Sequence, residues 1–273
     1  TEKDFTVDKD LIHVTVEKGG SEREFLKIKN TGNTKQIITI DPQNLKEFIV
    51  FPGIEGYSFE LEAGQEKIIE IMFNTGKNQE PDIYPGKILV KSGALEDIIL
   101  VIVEVESREP LFDVSIEIPE KYKEVFSGEE IVAGITIFNI KDVGLVDVRV
   151  DYVIKDMEGN IMIEEHETKG VERQISYIKT FDTPTLEPED YVFYVKISYG
   201  DIVASASQVF KVVGGFLSPK KEKGIIILIV DAVLILIAFI WYEHFRFREM
   251  RGLIKKVNRY ELLKRKMIKK GGR

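Results

Sequence analysis

Cysteine is absent from the 273-residue chain. Its absence excludes a disulfide scaffold, a thiolate metal site and a cysteine nucleophile. No segment has the spacing of metal ligands or the glycine-rich loop that binds phosphate, and no Asn-x-Ser/Thr acceptor for N-glycosylation occurs. We therefore predict a protein without a cofactor, a bound metal ion or N-linked glycans, and one that is not an enzyme.

Histidine is scarce, with only three residues in the chain. His13 and His166 lie in the strand-like segments "LIHVTV" and "EEHETK", and neither has a serine partner in a recognisable setting. We interpret both as ordinary strand residues rather than catalytic bases. Acidic clusters at 80–82, 164–167 and 187–190 lack the regularly spaced oxygen ligands of a calcium loop, so we interpret them as solvated turns.

The charges are unevenly distributed along the chain. Residues 243–273 contain 12 Lys+Arg and 3 Asp+Glu, a net charge of +9, whereas residues 1–223 contain 26 and 42, a net charge of -16. Asp231 supplies the remaining charge of the formal total of -8. An acidic body and a basic tail therefore flank one long apolar run, which indicates that they lie in two compartments.

The apolar run, "GIIILIVDAVLILIAFIWY", covers residues 224–242. About 20 apolar residues form a helix that crosses roughly 30 Å of hydrocarbon. The Ile, Leu, Val and Phe residues contribute roughly -4 to -8 kcal/mol to insertion, which outweighs the cost of about 2.5 to 3.5 kcal/mol for the central Asp231. We predict a transmembrane helix rather than a buried helix of a soluble domain, with Trp241 and Tyr242 as anchors at the membrane interface.

The basic tail fixes the predicted orientation. Cations concentrate on the cytoplasmic side of membrane spans, so we expect a single-pass protein of the cell membrane with residues 1–223 outside. The chain begins at Thr1, and we expect that an export signal was removed or that the start was trimmed.

Within the tail, Met250, Leu253, Ile254 and Val257 begin a helical apolar period, which predicts a basic amphipathic helix. The favoured interpretation is a helix on anionic lipid headgroups. A docking helix for a protein is the alternative, and nucleic acid is the least favoured partner. The tail cations are Arg246, Arg248, Arg251, Lys255, Lys256, Arg259, Lys264, Arg265, Lys266, Lys269 and Lys270.

Asp231 belongs to one stripe of the predicted span. Gly224, Asp231 and Ala238 are seven residues apart, and Leu228 and Ile235 fall on the same stripe. Small residues allow close helix approach, and a carboxyl group inside a membrane usually faces protein or water. We interpret the stripe as a helix–helix interface, with a membrane-protein partner or a second copy; the alternative is a protonated aspartate that faces lipid.

The segment before the span has the period-two alternation of half-buried strands. The pattern occurs at 69–73, 112–118, 146–154 and 191–197, while "IILVIVEV" at 98–105 is typical of a strand buried on both faces. Turn residues separate the runs. The turn segments are 29–35, 61–67, 84–87, 156–160 and 186–191. This rhythm predicts an all-β fold of two tandem immunoglobulin-like antiparallel sandwiches.

The predicted boundaries follow from interruptions in these patterns. The first sandwich covers 1–106 and the second 107–213, since charge and proline interrupt the apolar runs at "ESREP". A linker at 214–223, without periodic signal, precedes the span at 224–242, and the tail covers 243–273.

Two sets of segments carry a resemblance to known families. "FLKIKNTGNTKQIITI", "LEAGQEKIIEIMF" and "YPGKILVKS" resemble the immunoglobulin-like domain associated with α-galactosidases and found on archaeal surface proteins. "GNIMIEEHETKG" and "TFDTPTLEPEDYVFYVKI" resemble cell-adhesion-related or macroglobulin-type sandwiches. The layout is similar to that of archaeal single-pass membrane proteins, and the resemblance implies a stalk, spacer or adhesion module.

These observations give three functional hypotheses. The first is a non-enzymatic binding or scaffold subunit of a membrane assembly, with an extracellular protein ligand. The second is an anchored adhesion or spacer module. A narrower form of the first, by similarity of layout to translocon-associated subunits, is an accessory subunit of protein-export or glycosylation machinery.

Overall fold

The computed structural model describes residues 4–107, 109–183, 186–214 and Trp241. Seventeen strands and three single 3₁₀ turns account for the regular structure of the first three ranges, so the all-β prediction is confirmed for them. The strands form four sheets, which pack as two sandwiches.

The first sandwich consists of a four-stranded sheet, in the order β1-β3-β7-β5, and a five-stranded sheet, in the order β2-β9-β8-β4-β6. Its strands are β1 (Phe5–Val7), β2 (Leu11–Glu17), β3 (Ser21–Asn30), β4 (Gln36–Asp41), β5 (Ile49–Val50), β6 (Ser58–Leu61), β7 (Glu66–Asn74), β8 (Ile83–Ser92) and β9 (Leu95–Glu106). Leu26, Phe73 and Val103 are among the fully buried side chains between the two sheets.

The second sandwich pairs a three-stranded sheet, β10-β12-β15, with a five-stranded sheet, β11-β17-β16-β13-β14. Its strands are β10 (Phe112–Glu117), β11 (Glu124–Phe126), β12 (Glu130–Asn139), β13 (Val146–Asp156), β14 (Ile161–Val171), β15 (Gln174–Asp182), β16 (Asp190–Tyr199) and β17 (Ile202–Val213). Tyr152, Phe181 and Phe193 form an aromatic cluster in its core.

The two sandwiches repeat one strand order. In each five-stranded sheet an early strand pairs in parallel with the last strand of the sandwich: β2 with β9, and β11 with β17. The last strand then pairs with its predecessor, in β8-β9 and β16-β17. The remaining pairings are antiparallel, as the sequence predicts for sandwiches joined by short turns.

The alternating segments form the strands that their period predicts. β10 alternates strictly, with Phe112, Val114 and Ile116 facing the core and the residues between them exposed. Four of the five predicted turn segments connect strands, at 29–35, 61–67, 156–160 and 186–191. Period-two alternation therefore identifies the half-buried strand β10, and clusters of Gly, Asn, Asp and Pro identify these four turns.

The turn predicted at 84–87 is wrong, because these residues lie within β8. β4 pairs with β8 only at Leu89, Val90 and Lys91. On the N-terminal side of Leu89, the same edge of β8 lies against a 3₁₀ turn at Gln43–Leu45 instead of a strand. Asn44 Nδ2 donates a hydrogen bond to the Pro85 carbonyl at 3.0 Å. Since no ladder partner requires an N–H from Pro85 there, the strand accepts proline.

Among residues 4–107, 109–183, 186–214 and Trp241, no helix is long and apolar enough to cross a membrane. The predicted span at 224–242 lies outside the described residues except for Trp241. Trp241 is helical, and its side chain is 77% exposed. The linker after Gly214 and the tail at 243–273 also lie outside the described residues.

Candidate functional site

The outward faces of the two five-stranded sheets pack against each other. Fully or almost fully buried side chains from both sandwiches form a small apolar cluster there, and Leu100 and Val209 pack at its margin. The members of the cluster are Ile83, Ile102, Val153, Met157, Val192 and Tyr194. The contact explains why β9 is buried on both faces, as the sequence predicts: Val101 and Val103 face their own core, and Ile102 faces the other sandwich.

A buried ion pair crosses this contact. Lys155 Nζ, on β13, donates to Asp82 Oδ2 at 2.8 Å and to the carbonyl oxygen of Ile83 at 2.9 Å. The Lys155 side chain is only 7% exposed, and its ammonium group lies 4.9 Å from the centre of the Tyr194 ring. Removal of a partner from such a pair leaves a poorly solvated charge, so the pair favours this one arrangement of the two sandwiches.

The Asp82 carboxylate has one buried oxygen and acts electrostatically on a neighbouring tyrosine. Asp82 Oδ1 is buried and has no hydrogen-bond partner within the described ranges. Burial, followed by the negative charge of Asp82, raises the pKa of the Tyr194 hydroxyl above its ordinary value. Asp82 therefore is not one of the solvated turn residues that the sequence predicted at 80–82, because its carboxylate is held between the sandwiches.

A second polar cluster has Glu104 at its centre. The Glu104 side chain is 5% exposed; Ser205 Oγ donates to its Oε1 at 2.8 Å, and His13 Nε2 lies 3.0 Å from its Oε2. Ser207 Oγ lies 3.2 Å from the same nitrogen of His13. His13 and Glu104 belong to the first sandwich and both serines to the second, so the cluster also joins the two.

The arrangement of Ser207, His13 and Glu104 differs from that of a catalytic relay. In a serine–histidine–acid relay the hydroxyl and the carboxylate contact different ring nitrogens, so that a proton passes across the ring. Here Ser207 and Glu104 both contact Nε2 of His13, and Ser207 itself is buried. The geometry provides hydrogen bonds to a buried carboxylate and no such relay.

Three further contacts border the interface. Asn44 Nδ2 reaches the carbonyl oxygen of Met157 at 3.3 Å, and Lys87 pairs with Glu158 at 2.7 Å in a more exposed position. At the boundary between the sandwiches, the backbone N–H of Val203 donates to Ser107 Oγ at 3.1 Å. The interface thus has an apolar centre with directional polar contacts around it.

Another polar group lies inside the second sandwich, between the edge strands β14 and β15. Tyr152 donates to Glu167 Oε1 at 2.5 Å, and its hydroxyl lies 2.6 Å from that of Tyr177. The bond from Tyr152 lowers the pKa of Glu167, whereas burial raises the pKa of Tyr177 to about 12. Lys169 and Lys179 lie over the Tyr177 and Tyr152 rings, respectively, and close this side of the core.

The site residues predicted from the sequence fall largely beyond these contacts. The predicted helix–helix stripe, the anchor Tyr242 and the tail cations lie outside the described residues. The stripe consists of Gly224, Leu228, Asp231, Ile235 and Ala238. His166 is exposed on edge strand β14, so its predicted place in a strand is confirmed. In the described part of the chain, no group of three or more potential metal-ligating side chains is present.

Sequence reasoning did not identify Glu104 or Lys155, two buried charges that lie at the same interface but have different partners. A usable signal existed, since each is a single charge within an apolar run: "IILVIVEV" around Glu104 and "YVIK" at Lys155. A charge in a strand buried on both faces requires a partner on another element. The sequence does not indicate which element supplies it, because Asp82 is 73 residues from Lys155.

The fold and the site define a class of protein: an all-β chain of two sandwiches that dock through an apolar cluster with polar contacts around it. No family model and no curated protein matches the chain. Solved structures with some similarity include a Porphyromonas gingivalis W83 protein of unknown function, at 11% identity and TM-score 0.42, with 78% of this chain and 100% of that chain covered.

Two other solved structures cover less of the chain. The PapD-like domain 7 of human CEP192 has 14% identity and a TM-score of 0.31, over 39% of this chain and 87% of that one. A family 123 glycoside hydrolase from Clostridium perfringens has 13% identity and a TM-score of 0.30, over 43% and 25%. At these values none of the similarities identifies a family or an activity for the chain.

Proposed function

We propose that the chain is a non-enzymatic, membrane-anchored binding or scaffold subunit, whose two sandwiches form one rigid outer body. In this proposal each sandwich is an immunoglobulin-like domain, at 1–106 and 107–213, outside a cell membrane. The segment at 224–242 crosses the membrane, and the basic tail lies on its cytoplasmic face. The family resemblance to archaeal-type surface proteins belongs to the same proposal.

The observation that carries the proposal is the docked interface between the sandwiches. Domains joined only by a linker reorient freely, whereas an apolar cluster with buried polar pairs restrains them. The Lys155–Asp82 pair and the Glu104 cluster both require a fixed register of the two sheets. A rigid body presents its outer faces at a constant spacing, which is what a scaffold or binding subunit needs.

An anchored spacer is the second candidate, and the same rigidity favours it. The two candidates differ in what they require of the membrane segment. A spacer needs only hydrophobicity there, whereas a subunit of an assembly needs a specific helix contact, for which Asp231 is the strongest candidate. The interpretation as part of protein-export or glycosylation machinery is a narrower form of the first candidate.

Affinity purification in mild detergent, followed by mass spectrometry, separates the two. The full chain is compared with Asp231→Leu and with Val230→Leu, a control that changes the adjacent position and keeps the carboxylate. A subunit is expected to co-purify with an integral membrane protein that is lost only in Asp231→Leu. Equal background in all three samples would contradict the subunit and leave the spacer.

The membrane topology is tested separately. Because the native chain has no cysteine, single cysteines introduced as Ser176→Cys and Asn258→Cys report on one position each. On intact cells, a membrane-impermeant maleimide is expected to label the first and not the second, and to label both after permeabilisation. Labelling of Asn258→Cys on intact cells, or of neither variant, would contradict the proposed orientation.

A further inference from the structure

The outer sheets of the two sandwiches present faces of opposite character. One is the outward face of sheet β10-β12-β15 in the second sandwich, called here the acidic face. The other is the outward face of strands β3, β5 and β7 in the first sandwich, called here the cationic face. Neither face takes part in the interface between the sandwiches, because the two five-stranded sheets form that interface.

The acidic face has four carboxylates: Asp113, Glu117, Glu130 and Asp182, all exposed. Strands β10 and β12 contain no lysine or arginine, and the one cation of β15, Lys179, lies over the core rings of Tyr152 and Phe181. None of the four carboxylates pairs with a cation among the described residues. Glu130 and Asp182 lie directly opposite each other in the strand register, and like charges so placed repel.

An apolar side chain and a depression lie within this acidic face. Ile178 is 74% exposed, although it sits on a well-formed strand. Its register partner is Gly134, and a Cβ on Gly134 would meet only the Glu117 carbonyl, at 3.7 Å. The missing side chain leaves a shallow groove of about 300 Å³ between Ile178 and Glu117. The face thus offers a projecting apolar group beside a socket.

The cationic face has three cations, Arg23, Lys27 and Lys29, and two carboxylates, Glu66 and Glu70. Arg23 lies 3.5 Å from Glu70, whereas Lys27 and Lys29 form no ion pair within the described ranges. On these strands the cations outnumber the carboxylates by one, and the Asp8 carboxylate, beside β3 at the edge of the same sheet, accepts a hydrogen bond from the backbone N–H of Lys27 at 2.8 Å. The two lysines of this face are exposed to whatever approaches the sheet.

A diagonal of apolar side chains crosses the cationic face. Val50 lies opposite Met72 in the register, and Phe25 and Ile68 continue the line at diagonal positions. Val50 is 51% exposed, Phe25 53% and Ile68 64%. Diagonal neighbours on a sheet are within reach of large side chains. Exposed apolar groups that form a continuous line in this way mark a contact surface.

We propose that copies of this chain associate head to tail, with the cationic face of one copy against the acidic face of the next. Lys27 and Lys29 then neutralise carboxylates such as Glu130 and Asp182, which form no ion pair with the cations of the described ranges. Ile178 and the socket over Gly134 meet the apolar line of Phe25 and Ile68. The proposal does not depend on the proposed membrane anchor or on the partner of Asp231.

The charges select this pairing over the alternatives between two copies. Two acidic faces would bring eight carboxylates together without a cation, which carries a heavy cost. Two cationic faces would leave the four carboxylates of each copy unpaired. The head-to-tail contact uses two different surfaces, so it repeats from copy to copy and gives a row or a ring rather than a closed dimer.

The contact area predicts a weak association. The longest strands of each face have 9 or 10 residues. With strands about 4.8 Å apart and about 3.3 Å per residue, each face is therefore roughly 15 by 30 Å. Such a patch is at the low end for specific protein contacts. We therefore expect an association that weakens steeply toward about 1 M NaCl, where the Debye length is about 3 Å. Copies confined to one membrane would meet at a high effective concentration.

Cysteine cross-linking of the full chain in detergent tests the proposal, because the native chain supplies no competing thiol. Phe25→Cys and Ile178→Cys are purified separately, mixed, and treated with a short bismaleimide. The mixture is expected to give about tenfold more cross-linked dimer than either variant alone, and to lose it at high salt. Phe25→Cys mixed with Leu145→Cys, an exposed position on neither face, measures random collisions.

A charge reversal distinguishes the pairing from other associations. Lys27→Glu with Lys29→Glu, added to Phe25→Cys, is expected to abolish the cross-link to Ile178→Cys. Glu130→Lys with Asp182→Lys, added to Ile178→Cys, is expected to restore it. Circular dichroism of each variant shows that the fold is kept.

Three results would overturn the proposal. One is cross-linking no greater than in the Leu145→Cys mixture. Another is efficient cross-linking of Phe25→Cys or Ile178→Cys with itself, which would indicate contact between identical faces. The third is a failure of the charge-reversed pair to restore the cross-link while both variants remain folded.

Discussion

Lys155 Nζ lies 2.8 Å from Asp82 Oδ2 across the boundary between the sandwiches. The pair is separated by 73 residues in sequence, and it forms only when the outward faces of β13 and of the five-stranded sheet in the first sandwich meet. The same lysine donates to the carbonyl oxygen of Ile83. Lys155 therefore binds the Asp82 side chain and the Ile83 backbone together, at the start of β8. We therefore expect the arrangement of the two sandwiches to depend on this residue.

Replacing Lys155 by methionine tests that dependence. Methionine keeps the apolar length of the side chain but leaves Asp82 without its cation, so we expect a loss of about 2 kcal/mol in the free energy of unfolding. Urea denaturation of the full chain in detergent measures the change. Lys87→Met is the matched control, since the Lys87–Glu158 pair also joins the sandwiches but is more exposed, and its loss is expected to cost less than about 1 kcal/mol. Equal effects of the two variants would contradict the importance assigned to Lys155.

Gly86 on β8 is expected to tolerate no side chain. A Cβ there would lie 2.4 Å from Leu45 Cγ and 2.6 Å from Asn44 Oδ1, and Leu45 is buried. Gly86→Ala should therefore destabilise the fold by about 2 kcal/mol, through overpacking against the 3₁₀ turn. Gly134→Ala, in a strand with open space above it, is expected to be neutral or to stabilise by about 0.5 kcal/mol. Thermal melts of both variants check the pair, and a larger loss for Gly134→Ala would refute the prediction.

The bond from Tyr152 to Glu167 predicts a dependence on acid pH. The pKa of Glu167 is lowered from its ordinary value of 4.5, chiefly by this hydrogen bond. The stabilisation is therefore present above pH 4.5 and is lost as the pH falls through the lower pKa of the folded state. Tyr152→Phe should be about 1 kcal/mol less stable than the native chain at neutral pH, and the gap should narrow in acid. A gap that stays constant from neutral pH into acid would show that Glu167 is not the linked group.

The buried tyrosines predict a dependence on alkaline pH. Burial raises the pKa of Tyr177 from 10.0 to about 12 and raises those of Tyr152, Tyr191 and Tyr194 further. Stability is therefore complete below pH 10.0 and falls as the pH rises toward about 12. Titration of tyrosinate absorbance should show a late step that coincides with unfolding and shrinks in Tyr177→Phe. A single step centred on the ordinary tyrosine pKa would contradict the burial of these rings.

Much of the strand content could be predicted from period-two patterns, and the errors have a common cause. Alternation at 146–154 predicted one buried face, yet Val153 is buried as well as Val150 and Ile154. Alternation at 191–197 likewise missed Val192 and Tyr194. These positions face the other sandwich, and local periodicity reports only how a strand meets its own core. Their apolar character was visible, but the surface that covers it was not.

The candidate site was harder to predict than the fold, because its parts are far apart in sequence. His13, Glu104 and Ser207 come from three strands, and His13 and Ser207 are 194 positions apart in the sequence. Each one alone is an unremarkable strand residue. Their meeting depends on the docking of complete sheets, which no motif or spacing encodes. The same holds for the cationic and acidic faces, whose exposed residues come from several strands each.

The repeated strand order has a consequence for how the molecule can vary. The two sandwiches share the strand order of their five-stranded sheets and meet through those sheets, with β9 of one near β17 of the other. A single chain thus reproduces the plan of a symmetric dimer. In a true homodimer every substitution appears on both halves, so the two ends must remain identical. Here one end can gain lysines while the other gains carboxylates, and the pseudo-dimer acquires a direction that no symmetric pair can have.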